Sequence, residues 1–405
     1  MGILKCFRIL FINVIILTIL VGNLLIAEAT IWTVDDDLKD LPNADFTKIL
    51  DAVDAAKNGD TVVVYPGTYY ESTINLDKRL NLTGVGHPTI VVKSYPIFIL
   101  RADGCIIEGF KLEGRDPFAY LIHLKSNENI IKDNILIGGG KYSTGIKIES
   151  DKNTIKNNTI KDCGLNGINI NGNKNHVEHN AINCGITNPL LSWGTGIDIN
   201  GDANTVYLNK VVSCKLDGIS INGNGNIILG NEISGSDKGF YLNGEFNIIY
   251  LNSIYFMEKP FACSDSNNKI YLNNFFAKSK QYYSPGNTLN SWNTSRKIEY
   301  VYEGRSFKGY LGNYWSYYVG RDENNDGVED IPFRIDKNKD YYPLMKPVWN
   351  YSIPHKIHEL LETPIPMGLK GIQEEGEKSP GFEAVLLIFG SSVGLCLLRI
   401  TKSGR

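Results

Sequence analysis

Between residues 129 and 273, apolar and polar positions alternate in two short phrases that return together along the chain. The first phrase is Asn-x-(Ile/Val)-x-x-Asn, at Asn129/Asn134, Asn153/Asn158, Asn175/Asn180, Asn204/Asn209, Asn226/Asn231, Asn247/Asn252 and Asn268/Asn273. Successive starts lie 24, 22, 29, 22, 21 and 21 residues apart. The second phrase follows within the same repeat: Gly145-Ile-Lys-Ile, Gly167-Ile-Asn-Ile, Gly196-Ile-Asp-Ile, Gly218-Ile-Ser-Ile and Gly239-Phe-Tyr-Leu. Both alternate with period two, the pattern of short β-strands. A fixed period in the low twenties is the pattern of a solenoid. One such repeat is too small to bury its own apolar face, whereas stacked repeats share a continuous core. The pattern therefore predicts an all-β chain folded as a parallel β-helix of nine or ten coils.

The asparagines have a structural use in such a coil. A position that recurs once per coil lies about 4.8 Å from its copy. An Asn side chain both donates and accepts, so stacked copies can bond to each other and to turn backbone. The second asparagine of each pair (Asn134, Asn158, Asn180, Asn209, Asn231, Asn252, Asn273) is expected to form an interior ladder. This reading is preferred to one of seven polar binding residues.

Residues 45–57 place Phe46, Ile49, Leu50, Val53 and Ala56 on one helical face, with Asp45 as candidate N-cap. An open solenoid end exposes unpaired backbone, so this helix is expected to cap it. Thr61-Val-Val-Val-Tyr-Pro-Gly-Thr-Tyr then opens the first coil. The expected organisation is a signal peptide (1–29), an N-terminal strand and capping helix (30–60), the β-helix (61–280), a closing module (281–350), a Pro-containing linker (351–378) and a terminal segment (379–405).

Both ends read as targeting elements. Lys5 and Arg8 precede an apolar run from Ile9 to Ile26, and Ala27-Glu28-Ala29 has the form of a cleavage site. At the other end Pro380-Gly381-Phe382 precedes an apolar run, Ala384 to Leu398, then Arg399 and Lys402. That tail resembles the archaeal PGF-CTERM sorting signal. The resemblance implies removal by an archaeosortase, replacement by a lipid, and a body tethered on the outer face of the membrane; the alternative is a plain membrane anchor. A net charge of −3 and the lack of a basic cluster in the body argue against a nucleic-acid partner. Four sequons, at Asn81, Asn157, Asn293 and Asn350, suit an exported glycoprotein.

The stretch Asp51-Ala-Val-Asp-Ala-Ala-Lys-Asn-Gly-Asp-Thr-Val-Val-Val-Tyr-Pro-Gly-Thr-Tyr69, with the Asn/Gly coils, resembles NosD-like proteins, which share the carbohydrate-binding and sugar-hydrolysis (CASH) domain repeat. Leu311-Gly-Asn-Tyr-Trp-Ser316, the segment from Asp322 to Pro332, and Tyr342-Pro-Leu-Met345 resemble the closing module of surface proteins in methanogenic archaea. The resemblance covers residues 31–347 and implies a right-handed, single-stranded parallel β-helix. It is specific for fold and weak for activity.

Candidate chemistry falls in four places. In Asp322-Glu-Asn-Asn-Asp-Gly-Val-Glu-Asp330, oxygen ligands at Asp322, Asn324, Asp326, the Val328 carbonyl and Asp330 suit a structural Ca²⁺. Phe333 stands where an EF-hand carries Glu, so the loop is nearer the dockerin and thrombospondin types, and Asp336 or Asp340 could complete the shell. Cys163, Cys184 and Cys214 recur at one coil position, where a thiol trio would suit Cu(I), the role associated with part of the NosD family. Buried free Cys is ordinary packing, however, and His176 and His179 point to opposite faces, so copper is disfavoured. A seven-residue insertion, Thr187 to Trp193, lies beside an outward strand position that reads Lys147, Asn169, Asp198, Ser220, Tyr241. With Trp193 as an aromatic platform, these residues suit a sugar ring. Finally, Asp198 and Asp217, or Glu149 and Asp162, are the carboxylates nearest to a catalytic pair, but no polygalacturonase motif or Asp stack of the pectate-lyase kind is present. The expected function is a tethered surface protein that binds an envelope or extracellular glycan, or builds the envelope, without catalysis. A polysaccharide lyase, hydrolase or epimerase is the first alternative and a copper-handling protein the second.

Overall fold

The computed structural model describes residues 29–353 apart from 93–95, 116, 117, 119, 186–193, 258 and 278–288. The expected signal peptide, most of the expected linker, and the sorting tail lie outside these residues. Among the described residues, three parallel sheets of 11, 11 and 9 strands run the length of a right-handed β-solenoid of about nine coils. Each coil gives one strand to each sheet. Thus Thr154–Lys156, Thr159–Cys163 and Asn166–Ile170 pair with His176–Glu178, Ala181–Asn183 and Thr195–Ile199 of the next coil. The solenoid begins one strand earlier than the sequence suggests, because Ile31–Val34 pairs in parallel with Thr61–Val64.

The core is the inward half of each alternation. Ile131, Ile155, Val177, Val206 and Ile228 stack in consecutive coils of the first sheet, and Ile146, Ile168, Ile197 and Ile219 in the third, all fully buried. Each such side chain contributes about 1.5–3 kcal/mol by leaving water. The glycine of the second phrase is demanded by this packing: a Cβ at Gly196 would sit 2.2 Å from Val211 Cγ1 and 2.5 Å from the Gly218 carbonyl oxygen.

Both asparagines of each pair are interior, where the sequence reading assigned only the second. Asn134, Asn158, Asn180, Asn209, Asn231, Asn252 and Asn273 form one ladder, in which each backbone N–H and Nδ2 donates to the Oδ1 of the next coil. Asn129, Asn153, Asn175, Asn204, Asn226, Asn247 and Asn268 form a second, where each backbone N–H donates to the next Oδ1. The physical reason is a left-handed residue before every one of them. Lys152, Asn157, Lys174, His179, Ala203 and Leu208, for example, have φ between +54° and +59°. These corners interrupt the sheet hydrogen bonds, and buried amides replace them.

The capping helix is shorter than predicted, Ile49–Ala55, and Asp45 does not cap it. Asp45 instead accepts from the backbone N–H (2.9 Å) and hydroxyl (2.7 Å) of Thr33. The helix start is held by Glu71, which accepts from the Ile49 N–H at 2.8 Å, and its end by Lys78, whose Nζ donates to the carbonyls of Val53, Asp54 and Ala56. Of the expected face, Ile49, Val53 and Ala56 close the core, with Ala52 in addition, whereas Leu50 is only half-buried and Phe46 precedes the helix.

At the other end Trp315 stacks on Phe275 (4.4 Å) and Phe333 (4.6 Å), and Tyr318 meets Phe333 edge-on, so aromatic rings cover the last coil. The strand Tyr351–Ser352 pairs with Ile298–Tyr302, which corrects the expectation that the linker begins at residue 351.

Candidate functional site

The third sheet turns one register row outward: Ile99, His123, Lys147, Asn169, Asp198, Ser220, Tyr241 and Ala262. Lys147, Asn169, Asp198, Ser220 and Tyr241, singled out from the sequence, therefore stand on consecutive rungs. Trp193 and the insertion Thr187 to Trp193 lie outside the described residues.

The lower rungs carry a charged cluster. Glu149 Oε1 pairs with Lys147 Nζ at 2.6 Å, and Glu149 Oε2 shares a 2.8 Å hydrogen bond with His123 Nε2. Lys147 Nζ lies 4.8 Å over the Tyr120 ring, and Tyr120 meets His123 edge-on at 5.6 Å. Burial opposes the charge of Lys147, but bonds to Glu149 and contact with Tyr120 hold its ammonium above the usual range. The bond from Lys147, with His123 adding, holds the Glu149 carboxyl below its usual range despite some burial. Burial pulls His123 down, outweighing Glu149.

The upper rungs are an amide lattice. Asn169 Nδ2 (2.9 Å) and Asn200 Nδ2 (3.2 Å) both donate to Asp198 Oδ2. Alongside, Asn243, Asn222 and Asn200 each donate to the asparagine of the coil before, ending on Asn171. Burial raises the Asp198 carboxyl, with the charge of Asp217 adding, against bonds from Asn200, Asn169 and Ser220. Asp217 is ion-paired to Lys238 Nζ at 2.9 Å.

One rim of this face is apolar. Phe118 and Tyr142, 68% and 40% exposed, stack with ring centroids 5.0 Å apart and planes 11° from parallel. Leu165 and Leu216 continue the rim as exposed residues on later coils. Sequence reading missed Tyr120, His123, Phe118 and Tyr142. The alternation in Tyr120-Leu-Ile-His-Leu was the available signal, but this coil precedes the first Asn pair and so falls outside the clear repeat.

The carboxylates do not form a free catalytic pair. Asp198 and Asp217 share a face and feel each other's charge, yet one is held by amides and the other by Lys238. Glu149 follows the third-sheet strand Thr144–Ile148, whereas Asp162 lies in Thr159–Cys163 of the second sheet.

In the loop 322–330, Asp322 accepts from the N–H groups of Asp326 (3.0 Å) and Gly327 (2.9 Å), and Asn324 Oδ1 from Asp326 N–H at 2.9 Å. Asp330 Oδ2 accepts from Glu323 N–H at 2.8 Å. Val328 is buried and bridges Leu344. Asp340 cannot complete this shell, because its carboxylate is buried in the core and takes bonds from Asn313, Trp315 and Tyr342. Another acidic group, Asp35, Asp37 and Asp40, sits in the N-terminal loop, where Asp35 is committed to the N–H groups of Asp37, Leu38 and Leu41.

The cysteine trio is not a trio of thiols. Cys184 and Cys214 are joined in a disulfide between adjacent coils, while Cys163 is a free buried thiol pushed up to about 12 by burial.

A family model described as "Periplasmic copper-binding protein (NosD)" matches residues 53–211 and 183–320. The donor set just described does not fit copper: two of the three stacked sulfurs are bonded to each other, and the third is a buried neutral thiol. No curated protein matches this chain. Among solved structures, the Dettilon tailspike protein (gp208) is similar at 16% identity over 59% of this chain and 54% of its own, with a TM-score of 0.49. A structure of XylC with xylose is similar at 12% identity over 70% and 74%, TM-score 0.47, and the pectate lyase Pel9A at 15% over 64% and 72%, TM-score 0.42. The chain thus spans about half of the tailspike chain.

Proposed function

The chain belongs to the NosD family, and from that premise we propose that it is an exported β-helix that binds a polysaccharide along the outer face of its third sheet, without catalysis. The observation that carries this reading is the continuous row from His123 to Tyr241, bordered by the exposed Phe118–Tyr142 pair. The half-exposed rungs Lys147, Asn169, Asp198 and Tyr241 offer polar groups on a stack with a repeat of about 4.8 Å, while His123 and Ser220 in the same row are buried. An aromatic face beside them suits the apolar side of a sugar ring. Each carboxylate of this face is held: Glu149 by Lys147 and His123, Asp217 by Lys238, and Asp198 by amides. That favours a rigid binding surface over acid–base chemistry.

An extracellular, membrane-tethered setting agrees with the disulfide, since such bonds persist in oxidising compartments. Among the described residues no helix is long and apolar enough to cross a membrane. Tethering would therefore rest on the tail, through the sorting chemistry its Pro380-Gly381-Phe382 implies.

A glycan array probed with the purified protein, followed by a product assay on each hit, tests the proposal. Binding without turnover supports it. Turnover of a bound glycan replaces it with the lyase, hydrolase or epimerase reading.

A further inference from the structure

Asn171, Asn200, Asn222 and Asn243 stand on consecutive rungs at the outer margin of the third sheet, two residues beyond Asn169, Asp198, Ser220 and Tyr241. Asn171, Asn200 and Asn243 are exposed, and Asn222 is half-buried. Their amide hydrogens are mostly spent within the protein. Asn200 Nδ2 donates to Asn171 Oδ1 (3.1 Å) and Asp198 Oδ2 (3.2 Å), and Asn222 Nδ2 to Asn200 Oδ1 (3.1 Å) and Ser220 Oγ (3.4 Å). Asn171 Nδ2 donates to Asn169 Oδ1 at 3.0 Å, and Asn243 Nδ2 to Asn222 Oδ1 at 3.3 Å. Each carbonyl oxygen of the column accepts one of these bonds, that of Asn243 taking its own from the Ser264 hydroxyl at 3.0 Å. A carbonyl oxygen has two lone pairs, so every rung keeps an acceptor site for a ligand that donates.

The same strip offers no cation to an acidic ligand. Of the side chains on these two columns only Asp198 is charged, and Lys238 at its edge is already paired with Asp217. Toward the first sheet a further column repeats in step. Asp151 Oδ1 accepts from the Asn173 N–H (2.7 Å), Asn173 Oδ1 from Asp202 (2.8 Å), Asp202 Oδ1 from Asn224 (2.7 Å) and Asn224 Oδ1 from Glu245 (2.9 Å). Among the described residues, Asp151, Asp202 and Glu245 have no ion-pair partner, so this margin is negative. A chain of uronates or sulfate esters would lie against like charges, which disfavours it.

We propose that the ligand of this face is a neutral, hydroxyl-rich polysaccharide laid parallel to the solenoid axis, its hydroxyls donating to the carbonyl oxygens of Asn171, Asn200, Asn222 and Asn243. The inference rests on the glycan-binding reading above and adds the class and direction of the ligand. An uncharged sugar brings a donor with every hydroxyl and loses nothing to the negative margin. Four rungs and two columns two residues apart make a strip about 14 Å long and about 7 Å wide. Its long dimension follows the axis, so an extended chain meets successive rungs with successive sugars.

The test is an array carrying neutral glucans, xylans and mannans beside polyuronates, sulfated glycans and chitosan, followed by calorimetry of the full chain with each hit. Neutral chains should be the hits, and their affinity should rise from disaccharide to tetrasaccharide. That affinity should change less than about twofold between about 50 mM and 500 mM NaCl, because no ion pair with the ligand is screened. Asn200→Ala and Asn243→Ala should each weaken a neutral hit about fivefold, the effect of one lost hydrogen bond. Preference for a polyuronate, a sulfated glycan or chitosan, or an affinity that falls steeply with salt, would overturn this inference and leave glycan binding standing. Unchanged affinity in both asparagine variants, with circular dichroism confirming their fold, would overturn it too. Failure of every glycan to bind would remove the glycan reading itself, and this inference with it.

Discussion

The backbone N–H of Asn313 (2.8 Å) and its Nδ2 (3.2 Å) both donate to one carboxylate oxygen of Asp340. Asn273 makes the same two bonds to Asn313, at 3.0 Å each, and every asparagine below repeats them on the next coil. Asp340 therefore ends the ladder. An amide is needed wherever another coil follows, because it must both accept and donate. At the last rung only an acceptor is required, and a carboxylate supplies it. Trp315 Nε1 and the Tyr342 N–H complete its bonds.

Asp340→Ala would orphan these donors in a fully buried place. At about 1–3 kcal/mol for each unsatisfied buried group, partly relieved by water, a loss of about 3–5 kcal/mol is expected. Urea unfolding of the two proteins measures it, and a loss under 1 kcal/mol would contradict the terminal role.

Burial pushes the Asp340 carboxyl up to about 6 against its bonds. A folded value above the unfolded one means that its stabilising contribution is fully present below about pH 4 and is lost as pH rises through 6. Between pH 7 and pH 5 the protein should gain roughly 1 kcal/mol from this group. Asp340→Asn should remove that part of the pH dependence, as read from urea midpoints across the range.

Asn209→Ala removes a middle rung. Asn209 accepts from Asn180 and donates to the carbonyls of Val177 and Tyr207 and to Asn231, all buried. A cost of about 2–4 kcal/mol is expected. Val212→Ala, on the outside of the same coil, serves as the comparison and should cost about 1 kcal/mol or less.

The repeat made most of this fold legible. Period, strand phrases and the glycine of the second phrase all follow from a coil that must stack on itself. The first asparagine was not recognised as interior because an alternating pattern cannot show that each pair brackets two corners, each opened by a left-handed residue. Asp45 read as a helix cap because local sequence puts an N-cap residue there, whereas Glu71, 22 residues from Ile49, does the holding. The site was half legible. Lys147, Asn169, Asp198, Ser220 and Tyr241 recur in phase, but His123 and Tyr120 lie in a coil whose asparagines are missing, and the pairing of Cys184 with Cys214 depends on register that spacing does not fix.

The left-handed corners give a backbone prediction. Lys174, exposed and at φ +56°, should accept Gly with little loss or a small gain, since Gly adopts this conformation without the cost a Cβ imposes. Lys174→Val should lose about 1–2 kcal/mol, because a β-branched residue resists it most. Equal effects of the two substitutions in thermal unfolding would argue against corner strain.

Replacing Cys184 and Cys214 with Ser should lower stability by about 2–4 kcal/mol, the usual range for a bond closing a loop of this size. Alkylation of the native protein should leave Cys105, Cys163 and Cys263 unlabelled until it is unfolded, since all three are buried. Alkylation of Cys184 or Cys214 under non-reducing denaturation would remove the disulfide.

The proposal that the third-sheet face is a glycan surface is tested most directly by calorimetry of an array-selected polysaccharide against wild type, Lys147→Ala, Tyr142→Ala and, as an exposed residue of the second sheet, Lys161→Ala. Loss of one good contact, about 1.4 kcal/mol, is tenfold in affinity. The first two variants should weaken binding tenfold or more, Lys161→Ala should bind as wild type does, and no product should form. Unchanged affinity in both face variants, or equal weakening by Lys161→Ala, would contradict the account.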